Sequence, residues 1–192
     1  MTTYILHGGK TSVLNDQNYN FFGEFTKLVE KDKVTILLCY FSREKHKWAN
    51  LIERDSTSIK KDTTKIVNIL VAENPSDLLQ KLENSDVLYI AGGEAELIEP
   101  LYSELSSLKE KIKGKVYAGS SMGFFMASEQ YVLSADAVDD ETIHKGLGLL
   151  PLQALCHWDQ EPKKAEKLKM LSENSNKPIL VLNEFEYSIF YS

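Results

Sequence analysis

Cysteine, excess basic charge and long apolar runs are all scarce in this sequence of 192 residues. The two cysteines, Cys39 and Cys156, lie in the apolar stretches "TILLCYF" and "LQALCHW", with neither zinc-site spacing nor the makings of a disulfide framework. Reduced thiols in a cytoplasmic chain are therefore expected. Lys and Arg total 22 against 28 Asp and Glu, and the net charge of -6 argues against nucleic acid or an anionic membrane as the main partner. No run approaches the roughly 18 apolar residues that a membrane span needs. The opening "MTTYILHGGK" lacks a basic segment followed by a long apolar one, so a cytoplasmic location is the expectation. With no internal repeat, low-complexity tract or linker, residues 1–192 are expected to form one domain.

Short β-branched runs recur along the chain: "TYILH" (Thr3 to His7), "KVTILLCYF" (Lys33 to Phe41), "TKIVNILVA" (Thr64 to Ala72), "DVLYIAG" (Asp86 to Gly92) and "KVYAG" (Lys115 to Gly119). They are nearly continuous in apolar character, as strands covered on both faces of a parallel sheet should be. Helical spacing lies between them. "NYNFFGEFTKLVEKD" puts Phe21, Phe25, Leu28 and Val29 on one face, and "NPSDLLQKLENSD" opens on Asn74-Pro75. A third helix is expected through "EAELIEPLYSELSSLKEKIKG", ending at Gly114. Such alternation predicts a three-layer, doubly wound α/β fold with a mainly parallel sheet. Beyond Gly123 the pattern becomes irregular. A charged helix is expected around Glu161 to Ser172, then an antiparallel pair, "KPILVLNE" and "EYSIFYS", turning near Glu184 to Glu186.

In an open α/β sheet, ligands sit beyond the carboxyl ends of the strands. Three of those ends are glycine-rich: "HGGK", "AGGEAE" and "AGSSMG". The last fits G-x-S-x-G centred on Ser121, after a strand and before a helix-compatible segment. A sharp turn there would hold the Ser121 hydroxyl out at the sheet top, and the Met122 amide would face an oxyanion. The same five residues also describe a small-residue bend. A serine needs a base, and four histidines are present. His46 and His144 lie in charged or polar surroundings, and His7 ends the first strand. His157 follows the apolar "GLGLLPLQALC" where a buried segment reaches the surface, which makes it the best candidate. Acids between the two are Glu129, Asp136, Asp139, Asp140 and Glu141; Asp136, within "SADAV", is the least like a solvated charge. Gly92-Gly93 offers a second oxyanion amide.

Taken in order, "YIAGGEAELIEPL", "AGSSMGFFMAS" and "LGLLPLQALCHW" resemble the peptidase S51 family, the group of dipeptidase E and cyanophycinase. The resemblance implies a flavodoxin-like, class I glutamine amidotransferase-like fold with a serine nucleophile at the elbow. Carried over residue by residue, it implies Ser121 as nucleophile, His157 as catalytic histidine and Asp136 as the acid. Gly93 and Met122 then form the oxyanion hole, and Gly92 and Glu94 border the substrate. Three departures stand out. Glu94-Ala95 replaces the family's usual Asn-Thr, Met122 replaces an alanine after the nucleophile, and "DQEPKKAEKLKM" lacks the arginine that receives an aspartyl side chain in the dipeptidase. Lys163 and Lys164 are the nearest substitutes there, though a solvated helix face is the simpler reading for both.

The expectation is a serine hydrolase of small peptides or amides, needing no metal or organic cofactor and acting on a small peptide or amide substrate. Two rivals share the motif. One is an α/β-hydrolase esterase using "HGGK" as its oxyanion loop, disfavoured because only 71 residues (192 minus 121) follow Ser121. The other is a non-catalytic binding module of the same fold, for which Glu94 and Met122 speak.

Overall fold

The computed structural model describes residues 1–135, 137, 139 and 141–192. Its strands are β1 (Thr3–His7), β2 (Lys33–Cys39), β3 (Ile66–Val71), β4 (Val87–Ile90), β5 (Val116–Ser120), β6 (Gln130–Tyr131), β7 (His144–Lys145), β8 (Gln153–Leu155), β9 (Ile179–Val181) and β10 (Tyr187–Tyr191). The helices are α1 (Asp16–Lys27), α2 (Trp48–Lys60), α3 (Pro75–Leu82), α4 (Ala95–Ile98), α5 (Leu108–Lys111), α6 (Met122–Ala127) and α7 (Lys164–Asn174). Six strands form one sheet in the order β10-β1-β5-β4-β2-β3, parallel except for β10. A smaller sheet runs β7-β6-β8-β9, with β6, β8 and β9 parallel. This is the expected α/β architecture.

Continuous apolar strands arise because both faces of the large sheet are covered. Along β2, Ile36 and Leu38 pack with Phe21, Phe22 and Phe25 of α1, while Leu37 and Cys39 point into the opposite core with Leu88 and Ile90 of β4. Local capping agrees with the tertiary arrangement. Asn15 accepts from the Asn18 amide at 2.8 Å to start α1, and Asn74 does the same for Asp77 at 2.9 Å, with Pro75 opening α3.

Two expectations are corrected. The helix expected over 94–114 is broken into α4, a 3₁₀ turn at Glu99–Leu101 and α5. Pro100 offers no N–H for a continuing helix, and the serines at 103, 106 and 107 favour turns over helix. Helix α2, for which the sequence carries no clear periodic signal, buries Asp55 and Ser58 beside Ile59, while His46 just before it is exposed as expected. The two terminal strands are not a hairpin. β9 pairs parallel with β8 in the small sheet, whereas β10 pairs antiparallel with β1 in the large one. The turn at 183–186 therefore crosses from one sheet to the other.

Candidate active site

Ser121 sits between the end of β5 and the start of α6 with φ 49° and ψ -107°, a conformation an L-residue adopts only under strain. The flanking glycines make the crossing possible. A Cβ on Gly123 would lie 2.2 Å from the Ile90 carbonyl oxygen, and one on Gly119 would lie 2.4 Å from the Gly123 oxygen. Any side chain at either position would force strand and helix apart. The Ser121 amide donates to the His7 carbonyl at 3.0 Å, and its own carbonyl accepts from Phe125 at 2.9 Å. The turn is thus held at both ends.

His157 follows β8 in the left-handed region, φ 52° and ψ 33°, with its amide donating to the Gly8 carbonyl at 3.1 Å. Its Nε2 lies 3.1 Å from Ser121 Oγ, and its Nδ1 lies 3.0 Å from Glu184 Oε1. Glu184 occupies the turn between β9 and β10, its side chain only 5% exposed. The Glu184 amide donates to Asp159 Oδ1 at 2.8 Å. Partial burial works against ionisation of Asp159, but the hydrogen bonds from Glu184 and Gln160 outweigh it and keep that carboxyl below the usual range.

Glu184 lies outside the interval between Ser121 and His157 that holds the acids named from the sequence. It stands just past the carboxyl end of a short parallel strand, the placement that had already singled out the three glycine-rich turns; extending that rule to the last strands would have found it. Asp136 and Asp140 lie outside the described residues. Asp139 is exposed and accepts from Thr142 at 2.8 Å, Glu129 pairs with Lys177 at 3.3 Å, and Glu141 pairs with Lys163 at 2.6 Å. None of these three meets the imidazole.

The "HGGK" turn braces this pair instead of serving as an oxyanion loop. Gly9, at φ 122°, lays its backbone on the His157 ring so closely that a Cβ would fall 2.2 Å from Cε1. Its carbonyl accepts from the Phe185 amide at 3.3 Å, and Lys10 Nζ reaches Glu184 Oε2 at 2.8 Å. His7 is fully buried, and burial, with a small contribution from the neighbouring His157, pushes its pKa down to about 4 against the pull of its Asn18 partner. Neutral, it accepts from the Gly9 amide on Nδ1 at 3.0 Å and donates from Nε2 to Asn18 Oδ1 at 3.0 Å. Ser120 Oγ lies 3.5 Å from the same Nδ1.

A cavity of about 400 Å³ opens over the serine, bordered by Gly92, Gly93, Glu94, Met122 and His157. No acceptor among the described residues takes the amides of Gly93 or Met122. The Met122 side chain is 1% exposed and packs inward with the core, so the larger residue does not crowd the hydroxyl from outside. Glu94 is exposed, and its amide donates to the Ser42 carbonyl at 2.8 Å. Lys163 and Lys164 line neither this cavity nor its neighbour; Lys164 lies over the Trp158 ring.

Two arginines reach the cavity wall. Arg54 is neutralised, giving Nε and Nη2 to Asp55 Oδ1 at 2.7 and 2.6 Å, while Tyr40 donates to the other oxygen of that buried carboxylate at 2.9 Å. Arg43 is different. Its Nε donates to the Gly92 carbonyl at 2.6 Å, and among the described residues no carboxylate lies within ion-pairing distance of it. A second cavity of about 420 Å³ shares Lys10, Ser134 and His157 with the first and continues past Gln160, Pro162 and Glu184.

The model of peptidase family S51 matches residues 5–188. Among solved structures, a peptidase from an acI-B1 Actinobacterium superposes with a TM-score of 0.69 at 13% identity, covering 99% of this chain and 83% of that one. A candidate peptidase E protein from Listeria monocytogenes EGD-e gives a TM-score of 0.63 at 18% identity, covering 99% and 94%. At such identities the likeness is one of fold. A comparison with curated proteins found no match.

Proposed function

As the chain belongs to peptidase family S51, we propose that it is a serine-type hydrolase of small peptides or amides, dipeptidase-like and cytoplasmic, with Ser121, His157 and Glu184 as its relay. The observation that carries the reading is the unbroken line from Ser121 Oγ through His157 to Glu184, at 3.1 and 3.0 Å. His157 Nε2 takes the hydroxyl proton as Oγ attacks the carbonyl carbon. It returns that proton to the leaving amine, and water repeats the sequence to release the acid. Glu184 accepts from Nδ1, which fixes the tautomer and stabilises the imidazolium that forms. The Gly93 and Met122 amides are the donors for the developing oxyanion.

Arg43 supports a substrate with a carboxylate on the acyl side. It is held against Gly92, the glycine packed on the nucleophile, and its planar fork suits a carboxylate where a lysine would offer only a point charge. An arginine on this wall answers the absence of one after His157, so Asp-X dipeptides are the first substrates to try.

The test is intact mass after incubation with a small fluorophosphonate. One adduct per chain is expected, abolished in Ser121→Ala and His157→Ala and slowed about 10³- to 10⁴-fold in Glu184→Gln. Native protein that stays folded and unlabelled would favour the non-catalytic module. With Met122 turned inward, that rival keeps only Glu94 in its support.

A further inference from the structure

We infer that Lys10 is a positioning residue that holds the Glu184 carboxylate against His157, an inference that rests on the serine-hydrolase reading above. A glutamate has three side-chain torsions, and a carboxylate tied at one oxygen can still swing. Glu184 is tied at both: Oε1 faces His157 Nδ1 at 3.0 Å and Oε2 faces Lys10 Nζ at 2.8 Å. With that side chain 5% exposed, loss of Lys10 would leave a charged oxygen where little water reaches it. The carboxylate would then turn toward solvent and away from the ring.

Lys10 is itself fixed from below. Its backbone is left-handed at φ 60°, and its carbonyl accepts from Asn18 Nδ2 at 2.9 Å and from the Val13 amide at 3.2 Å. Asn18 in turn is held by His7. Residues 7–10 therefore control the base three ways: Gly8 holds its backbone, Gly9 covers its ring, and Lys10 aims its acid. Electrostatics identifies the service. A cation on the far side of the carboxylate weakens the attraction between Glu184 and an imidazolium, so Lys10 acts through orientation and not through the field. Charge and reach distinguish this from simple packing, because the half-exposed side chain borders both cavities and sets its ammonium 2.8 Å from Glu184 Oε2.

The experiment measures the rate of labelling by an uncharged dialkyl fluorophosphonate, which carries no carboxylate for a lysine to bind. Native protein, Lys10→Met, Lys10→Arg, Glu184→Gln and the Lys10→Met/Glu184→Gln double variant are compared by intact mass. Lys10→Met is expected to label about tenfold more slowly or worse, Lys10→Arg to recover most of the rate, and Lys10→Met to change nothing once Glu184 is Gln. If Lys10→Met does not fold, Lys10→Gln takes its place under the same criteria. A native rate in the uncharged variant, or an equal loss in both backgrounds, overturns the role; the first result would make Lys10 at most a substrate contact, felt in KM. Absence of labelling in native protein would sink the hydrolase reading and this inference together, whereas a labelled native protein with an uncoupled Lys10 would sink this inference alone.

Discussion

His7 lines neither cavity, yet it ties the turn beside the site through the Gly9 amide and Asn18. In the folded state burial holds its pKa at about 4, against 6.5 for a free imidazole. Above pH 6.5 it is neutral in both states and its contribution to stability is whole. As the pH falls from 6.5 toward 4 the unfolded chain takes up a proton that the folded one refuses, so stability drops by about 3 kcal/mol, and below pH 4 this loss levels off. Urea unfolding across that range should show the decline in native protein and lose this component in His7→Gln; equal slopes in the two would refute the assignment. At the same scale the sequence was informative about Ser121 and His157, because glycine spacing and the end of a buried run both leave local marks. Glu184 was opaque for a different reason. Its place beside His157 comes from a strand pairing between distant segments, and "LNEFEY" reads locally as no more than a polar turn.

At the scale of elements, α7 carries a buried charge pair. Lys167 Nζ donates to Glu161 Oε2 at 2.7 Å and to the Leu133 carbonyl at 2.6 Å, and both charged side chains are 2% exposed. Removing Lys167 leaves the buried Glu161 carboxylate without this cation, its other oxygen held by the Lys163 amide at 2.9 Å, so Lys167→Met should cost about 3–5 kcal/mol, and Glu161→Gln added to it should return part of that. Chemical denaturation of the two variants checks the sign; a double variant no more stable than the single one would count against the pair. Elements whose periodicity matched their burial were readable, as with β1, α1 and α3. Those decided by tertiary context were not. The face of α2 is buried despite Asp55 because Tyr40 and Arg54 satisfy that carboxylate, a compensation that spacing cannot reveal.

At the scale of the whole molecule, the proposed relay joins two sheets. Ser121 follows β5 of the large sheet, while His157 and Glu184 follow β8 and β9 of the small one. The small sheet and α7 have a modest core of their own in Val132, Leu155 and Leu171, with partly buried neighbours around it. Such a region opens before a large core does. Labelling by the fluorophosphonate should therefore fail at lower urea than the helical circular dichroism signal; coincident transitions would mean that the two sheets unfold as one. The parallel order of the large sheet was foreseeable from continuous apolar runs, but the crossing of the last turn from one sheet to the other was not, since a hairpin and a crossover share the same local pattern.

Among the described residues, the non-glycine positions with positive φ are Lys10, Ser121, His157 and Phe185. Two are members of the relay, one is the lysine on its acid, and one is the neighbour of that acid. Each such conformation is held at a cost of about 1–3 kcal/mol. Glycine at these four places would relieve that cost and, on the reading proposed above, would dismantle the catalyst in doing so. A population of this chain evolving toward robustness alone should drift toward silence, keeping the fold and losing the proposed chemistry.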